Sequence, residues 1–162
     1  MAKILNFKTH DDLRGSLTVV EKQIPFNIKR VFYIYDVDDS KRGFHKHNLT
    51  RQVAVCIKGS CDIVISNDVN KVYKLNKPNM GLLIEPSDYH WMENFSKDSI
   101  LLILASELYD ENDYIYENSM DKLFWDKEFK KRNISTPKIY AYSINGKIIQ
   151  LHPLPPEKEF II

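Results

Sequence analysis

The stretch Arg42-Gly43-Phe44-His45-Lys46-His47 carries two imidazoles two residues apart. On an extended strand, positions i and i+2 share a face, so both rings point the same way. A pair of imidazoles on one inward face can bind a metal or move protons near neutral pH. A third ring, His90, follows Gly81 and Pro86 and precedes Asn94. His10 and His152 stand outside any such pattern and read as surface residues.

Strands must position these rings. Short apolar runs recur along the chain: Ser16–Val20, Arg30–Tyr35, Gln52–Lys58, Cys61–Ile65, Lys71–Leu75, Gly81–Ile84 and Ile100–Ala105. Turn formers separate them, among them Asp38-Asp39-Ser40, Lys58-Gly59-Ser60, Asn67-Asp68 and Lys77-Pro78-Asn79. Strands this short and this closely spaced predict an all-β sandwich or barrel. Ile63, Ile65 and Val69 interleave with polar neighbours, as a half-buried strand requires, whereas Ile100–Leu104 is apolar throughout and predicts burial on both faces. Helical patterning is confined to Asn112–Lys130, where short helices are expected. Near the end, Asn145-Gly146 between Ile139–Ile144 and Lys147–Leu151 predicts a β-hairpin. No βαβ alternation and no Gly-rich phosphate loop is present, which argues against a Rossmann domain or a P-loop.

The 162 residues suffice for one core. Lys plus Arg number 23 against 22 Asp plus Glu, a balance that argues against broad binding to nucleic acid or acidic membranes. No segment approaches the roughly 20 apolar residues of a membrane span, and residues 1–12 lack the apolar run of a signal peptide. Cys56 and Cys61 fall in apolar sequence without a CxxC pattern and read as small buried hydrophobes in a reducing compartment. Were they on one strand, their odd separation would turn them to opposite faces. A soluble, cytoplasmic protein is expected.

Gly43, His45, His47 and Gly59, followed by Gly81, Pro86, His90 and Asn94, resemble the two motifs of the cupins. That resemblance implies a jelly-roll barrel with these residues at its mouth. It narrows with Arg14-Gly15-Ser16-Leu17, Ile24-Pro25-Phe26, Ile28-Lys29-Arg30-Val31, Gln52-Val53, Lys58-Gly59-Ser60-Cys61, Leu104-Ala105-Ser106, Tyr109-Asp110 and Asp113-Tyr114-Ile115. In that order, across roughly residues 4 to 128, the series looks like the WxcM-like sugar 3,4-ketoisomerases, which act on dTDP-4-keto-6-deoxyglucose. Two departures stand out. Metal-binding cupins usually carry Glu where this chain has Gln52, a poor ligand for a divalent ion. Around the third histidine the family usually has Trp-His-Glu-Met, and here stands Tyr89-His90-Trp91-Met92.

From the resemblance follow a cupin domain over residues 1–130, a C-terminal extension over 131–162, no cofactor and no metal. A dTDP-linked 4-keto-6-deoxyhexose is implied as substrate and a homodimer as assembly, with a place in deoxyamino-sugar synthesis for surface glycans such as lipopolysaccharide O-antigen. The carbonyl shift itself needs a base near neutral pH and donors at the sugar oxygens. His47 is expected as the base and His45 as its partner, an order that could be reversed. Tyr33, on the strand before the motif, is the expected acid or donor. Arg14, Arg42 and Arg51 are candidates for the diphosphate, because a guanidinium fork grips two oxygens at once. Gln52 is expected to hydrogen-bond the sugar or orient a histidine, and Tyr35 and His90 to line the sugar. The rival readings are a metal-dependent cupin, an epimerase of the same barrel type and a non-catalytic sugar-binding cupin.

Overall fold

A computed structural model of the chain describes residues 1–116 and the backbone of two later strands. The chain divides into two units, Met1–Asp121 and Lys122–Ile162.

The first unit is a two-sheet barrel. One sheet has the order β1-β9-β6-β11-β4, made from Lys3–Asn6, Met80–Ile84, Gln52–Lys58, Ile100–Ala105 and Arg30–Tyr35. The other has the order β12-β5-β10-β7-β8, from Tyr114–Ile115, Arg42–His47, His90–Glu93, Cys61–Ser66 and Asn70–Leu75. A separate antiparallel hairpin joins β2 (Lys8–Asp12) to β3 (Gly15–Val19). The all-β jelly roll expected from the sequence is the fold found.

Side-chain alternation explains which faces close. Along β4, Phe32 and Ile34 pack on the core inside the barrel, while Val31, Tyr33 and Tyr35 are exposed on the outer face. Central strands β6 and β11 are covered on both faces. Ala54, Cys56, Leu101 and Ile103 join the inner core with Ile63, Leu75 and Leu82. Val53, Val55 and Leu104 join a second cluster with Phe7, Ile24 and Leu83. Burying both faces takes an unbroken apolar run, and β11 has one.

Several expectations change at the turns. Val69 is exposed between β7 and β8 rather than part of a strand. Cys56 and Cys61 lie on consecutive strands, not on one, and both thiols point into the same core. Where a helix was expected from Asn112, Glu111–Asp113 form one 3-10 turn and Tyr114–Ile115 form β12. Pairing of Tyr114 with His47 and of Ile115 with Lys46 claims that backbone for the sheet. The rest of the expected helical region lies outside the described residues. In the second unit, β13 (Ala141–Ile144) pairs antiparallel with β14 (Lys147–Gln150), Ile144 opposite Lys147. No helix among the described residues is long and apolar enough to cross a membrane.

Candidate active site

A bulge in β5 aims the histidine pair. His45 is opposite His90, but Trp91 is opposite Gly43, so Phe44 is the extra residue. Gly43 has φ +104° and Phe44 φ +60°. A Cβ on Gly43 would sit 3.0 Å from the His90 carbonyl and 3.1 Å from Trp91 Cα, so only glycine fits. Beyond the bulge, His45 and His47 share the inward face with ring centroids 4.9 Å apart and planes at 86°. His90, from β10, comes within 4.9 Å of His45 and 6.2 Å of His47.

The fixed point of the cluster is Asp113, at the end of the 3-10 turn. Asp110 caps that turn by accepting from the Asn112 amide at 2.9 Å. One Asp113 oxygen accepts from the Asn48 and Leu49 amides at 3.1 and 2.7 Å. The other faces His47 Nδ1 at 2.9 Å and the Thr50 amide at 3.3 Å. Burial by itself would raise the Asp113 carboxyl, but the bonds from Thr50 and Leu49 and the nearness of His47 outweigh it and hold it below the usual range. An ionised carboxylate only accepts, so Nδ1 of His47 carries the proton and Nε2 the lone pair. The Gln52 amide, reaching across from β6, donates to that Nε2 at 3.1 Å.

Burial also sets the protonation of the rings. It lowers the His47 pKa below the ordinary 6.5, against the opposing pull of Asp113, and Arg30 lowers it further. His90 is 1 % exposed, and burial pushes it down to about 4. Its Nδ1 donates to the Asp88 carbonyl at 3.0 Å, and its buried Nε2 has no partner. Both rings are therefore neutral at pH 7. Tyr114 stands 4.6 Å from the His47 ring and 4.9 Å from that of His45, and stacks on Tyr116 at 6.3 Å. Burial raises its phenol above the ordinary range, against the pull of Arg30, so Tyr114 keeps its proton. Arg30 rests over Phe32 at 5.2 Å and over Tyr109 at 5.7 Å.

Of the residues expected from sequence, the barrel brings together His45, His47, His90 and Gln52. Tyr33 and Tyr35 are 62 % and 57 % exposed, on the face of β4 that turns away from the inner core. They lie there because alternation gives the inward positions to Arg30, Phe32 and Ile34. Arg51 is held elsewhere: its guanidinium grips Glu85 at 2.8 and 2.7 Å and donates to the Pro25 carbonyl at 2.7 Å. Arg14, at the turn of the β2–β3 hairpin, is 90 % exposed and paired with Asp12 at 2.6 Å. Arg42 is exposed at the start of β5. Asp113, Tyr114 and Arg30 were not singled out for the site from sequence, though each stands in the series of family-like segments. Among the described residues, no group of three or more His, Cys, Asp or Glu is arranged to hold a metal ion.

Comparison with known proteins places this geometry. Residues 1–124 match the family model described as FdtA: WxcM-like, C-terminal. A TDP-4-oxo-6-deoxy-alpha-D-glucose-3,4-oxoisomerase from Aneurinibacillus thermoaerophilus is 44% identical over 122 residues, covering 72% of this chain and 88% of the relative. The 3,4-ketoisomerase QdtA of Thermoanaerobacterium thermosaccharolyticum, solved in complex with TDP, superposes with a TM-score of 0.71 at 42% identity, over 81% of this chain and 96% of that one. A 3,4-ketoisomerase from Helicobacter canadensis gives 0.69 at 43% identity, over 82% and 97%. With the family model spanning the whole barrel and relatives this similar over nearly their full length, the chain belongs to the WxcM-like, C-terminal family of FdtA-type proteins.

Proposed function

We propose that this chain is a TDP-sugar 3,4-ketoisomerase that converts TDP-4-keto-6-deoxyglucose to a 3-keto-6-deoxyhexose by histidine acid–base chemistry. The observation that carries the reading is the His47–Asp113 pair. It gives a neutral imidazole a lone pair on Nε2 inside the barrel, beside a second imidazole and a protonated phenol. The relatives named above support the substrate class.

The hydrogen at C-3 is acidified by the neighbouring C-4 ketone. The substrate displaces the Gln52 amide from His47 Nε2, and that nitrogen takes the proton while O-4 gains one from the Tyr114 phenol or from His45, giving an enediol. The group that protonated O-4 then takes the O-3 proton, and the imidazolium of His47 delivers a proton to C-4, which leaves the carbonyl at C-3 and both groups as they began. One C–H bond breaks and one forms, with no net oxidation. Asp113 steadies the imidazolium of His47 between the two steps. Arg30, whose charge and side-chain hydrogen bond act on Tyr114, stabilises charge developing on the oxygens. Tyr114 thus takes the role expected of Tyr33. Positioned proton transfer of this kind supplies about 10²- to 10⁴-fold. Arg42 remains the candidate for the diphosphate. The free buried thiols of Cys56 and Cys61 fit a reducing compartment, and we place the enzyme in the cytoplasm, as a homodimer serving deoxyamino-sugar synthesis for surface glycans.

Incubation with TDP-4-keto-6-deoxyglucose in deuterated water, followed by NMR, tests the proposal. A 3-keto product carrying deuterium at C-4 is expected, and His47→Asn should abolish both turnover and exchange. Exchange without movement of the carbonyl would make the protein an epimerase, and neither exchange nor a 3-keto product would leave a binding protein.

A further inference from the structure

On the far side of the bulge lies a feature that the acid–base scheme does not use. Alternation along β10 sends Met92 into the inner core and His90 against His45. The intervening Trp91 packs flat on Phe44, with centroids 5.4 Å apart and planes within 6°. The indole N–H donates to a Glu93 oxygen at 2.9 Å. The same carboxylate holds Lys41 at 2.5 Å, just before β5 begins. Lys41, Glu93, Trp91 and Phe44 thus tie the start of β5 to β10 from outside the barrel.

Phe44 needs that tie. Its φ of +60° lies in the left-handed region, where a side chain with a Cβ is strained. Such a conformation persists only where the surroundings over-determine it. If Phe44 relaxed, the bulge would close, the pairing would shift by one residue, and a one-residue slip turns a strand's side chains to the other face. His45 is the residue immediately after the bulge, so its direction is the first to change.

We infer that Trp91 is a positioning residue: by clamping Phe44 in the left-handed conformation it holds the bulge that aims His45 at the reacting sugar. The inference rests on the reading of His45 and His47 as the acid–base pair.

The test compares Trp91→Ala with Trp91→Phe, which keeps a flat ring against Phe44. Trp91→Ala is expected to lower kcat about tenfold, a modest share of what misplacing a reacting group by 1 Å can cost. KM for the TDP-sugar and the Kd of TDP should stay within twofold of the unmodified protein, and Trp91→Phe should restore most of kcat. The His45 ring-proton resonance should move in Trp91→Ala and return in Trp91→Phe, a readout independent of turnover. A loss confined to KM, no loss at all, or failure of Trp91→Phe to rescue overturns the inference. Should Trp91→Ala not fold, Glu93→Ala decides, because it frees the indole while leaving both stacked rings in place. A lower kcat at unchanged KM then supports the clamp, and an unchanged kcat refutes it. If the unmodified protein makes no 3-keto product, the functional reading fails, and the His45 resonance still judges the clamp.

Discussion

Asp113→Asn puts the most direct strain on the catalytic reading. The asparagine oxygen can still accept from the Leu49 and Asn48 amides, now bonded at 2.7 and 3.1 Å. The side-chain amide would then face His47 Nδ1 at about the present 2.9 Å and must donate to it. The imidazole proton is thereby forced to Nε2, and the lone pair points out of the site. Behind the histidine of a serine-protease triad, the same exchange leaves the geometry intact and costs about 10⁴ in kcat. We expect a loss of about 10³ to 10⁴ here, with KM little changed. The Thr50 amide also loses its acceptor at 3.3 Å and the charge-assisted bond to His47 weakens, so the fold should lose about 1–3 kcal/mol. The pH profile adds a sign. On the proposed reading His47 works as the neutral base, so activity should fall as pH drops through its pKa, which burial has already lowered. Asp113 opposes that lowering, so removing its charge should move the acid limb of kcat/KM further down. Single-turnover NMR of the carbonyl shift across pH measures both. Activity within threefold of the unmodified protein, or an acid limb that moves up, would refute the tautomer argument.

Three further outcomes are expected. Gln52→Glu places a carboxylate about 3.1 Å from His47 Nε2, so the acid limb should move up, kcat should fall and metal analysis should show uptake of a divalent ion; an unmoved limb counts against the geometry. Arg51→Met removes the grip on Glu85 and Pro25, so Tm should drop while KM for the TDP-sugar stays constant; a tenfold rise in KM would return Arg51 to the substrate. His90 has a folded pKa of about 4 against an ordinary 6.5, so the unfolded chain binds its proton more readily. Its contribution to stability is full above pH 6.5 and is lost as pH falls toward 4, amounting to about 3 kcal/mol. Denaturant unfolding at pH 7 and pH 4.5 should show a shallower decline in His90→Asn, and equal slopes would contradict the burial argument.

The strands were legible in the sequence because alternation and turn residues are local signals. Arg30–Tyr35, Gln52–Lys58 and Ile100–Ala105 have the bounds read from the sequence. The H-x-H pair was legible for the same reason: a two-residue spacing forces two rings to one face of a strand. Inward and outward were less legible. Alternation along β4 is equally satisfied with Tyr33 inside or outside, and only the packed sheet selects Arg30, Phe32 and Ile34. Asp113 was out of reach for another reason. It stands 66 residues from His47, and its partners are three consecutive backbone amides that no residue type reveals. The 3-10 turn that carries it sat at the start of an apparent helical pattern, and pairing of Tyr114 with β5 overrode that local preference.

The position of one carboxylate connects the Gln52 departure with the Asp113 found by the fold. A metal-binding cupin places its acid on the strand after the H-x-H pair, facing the lone pairs of the rings. Here that place holds an amide, and the acid comes from behind, on Nδ1 of His47. Moving the charge from front to back changes what the same imidazole can do. In front, a carboxylate competes for a shared cation. Behind, it fixes the tautomer and raises basicity on Nε2, whose neighbour in front is the neutral Gln52 amide, a donor that a substrate C–H can displace. On the proposed reading, a base whose charge partner sits behind the ring meets an enolisable carbon with no carboxylate in the substrate's way, and the 3-10 turn at Glu111–Asp113 puts Asp113 there.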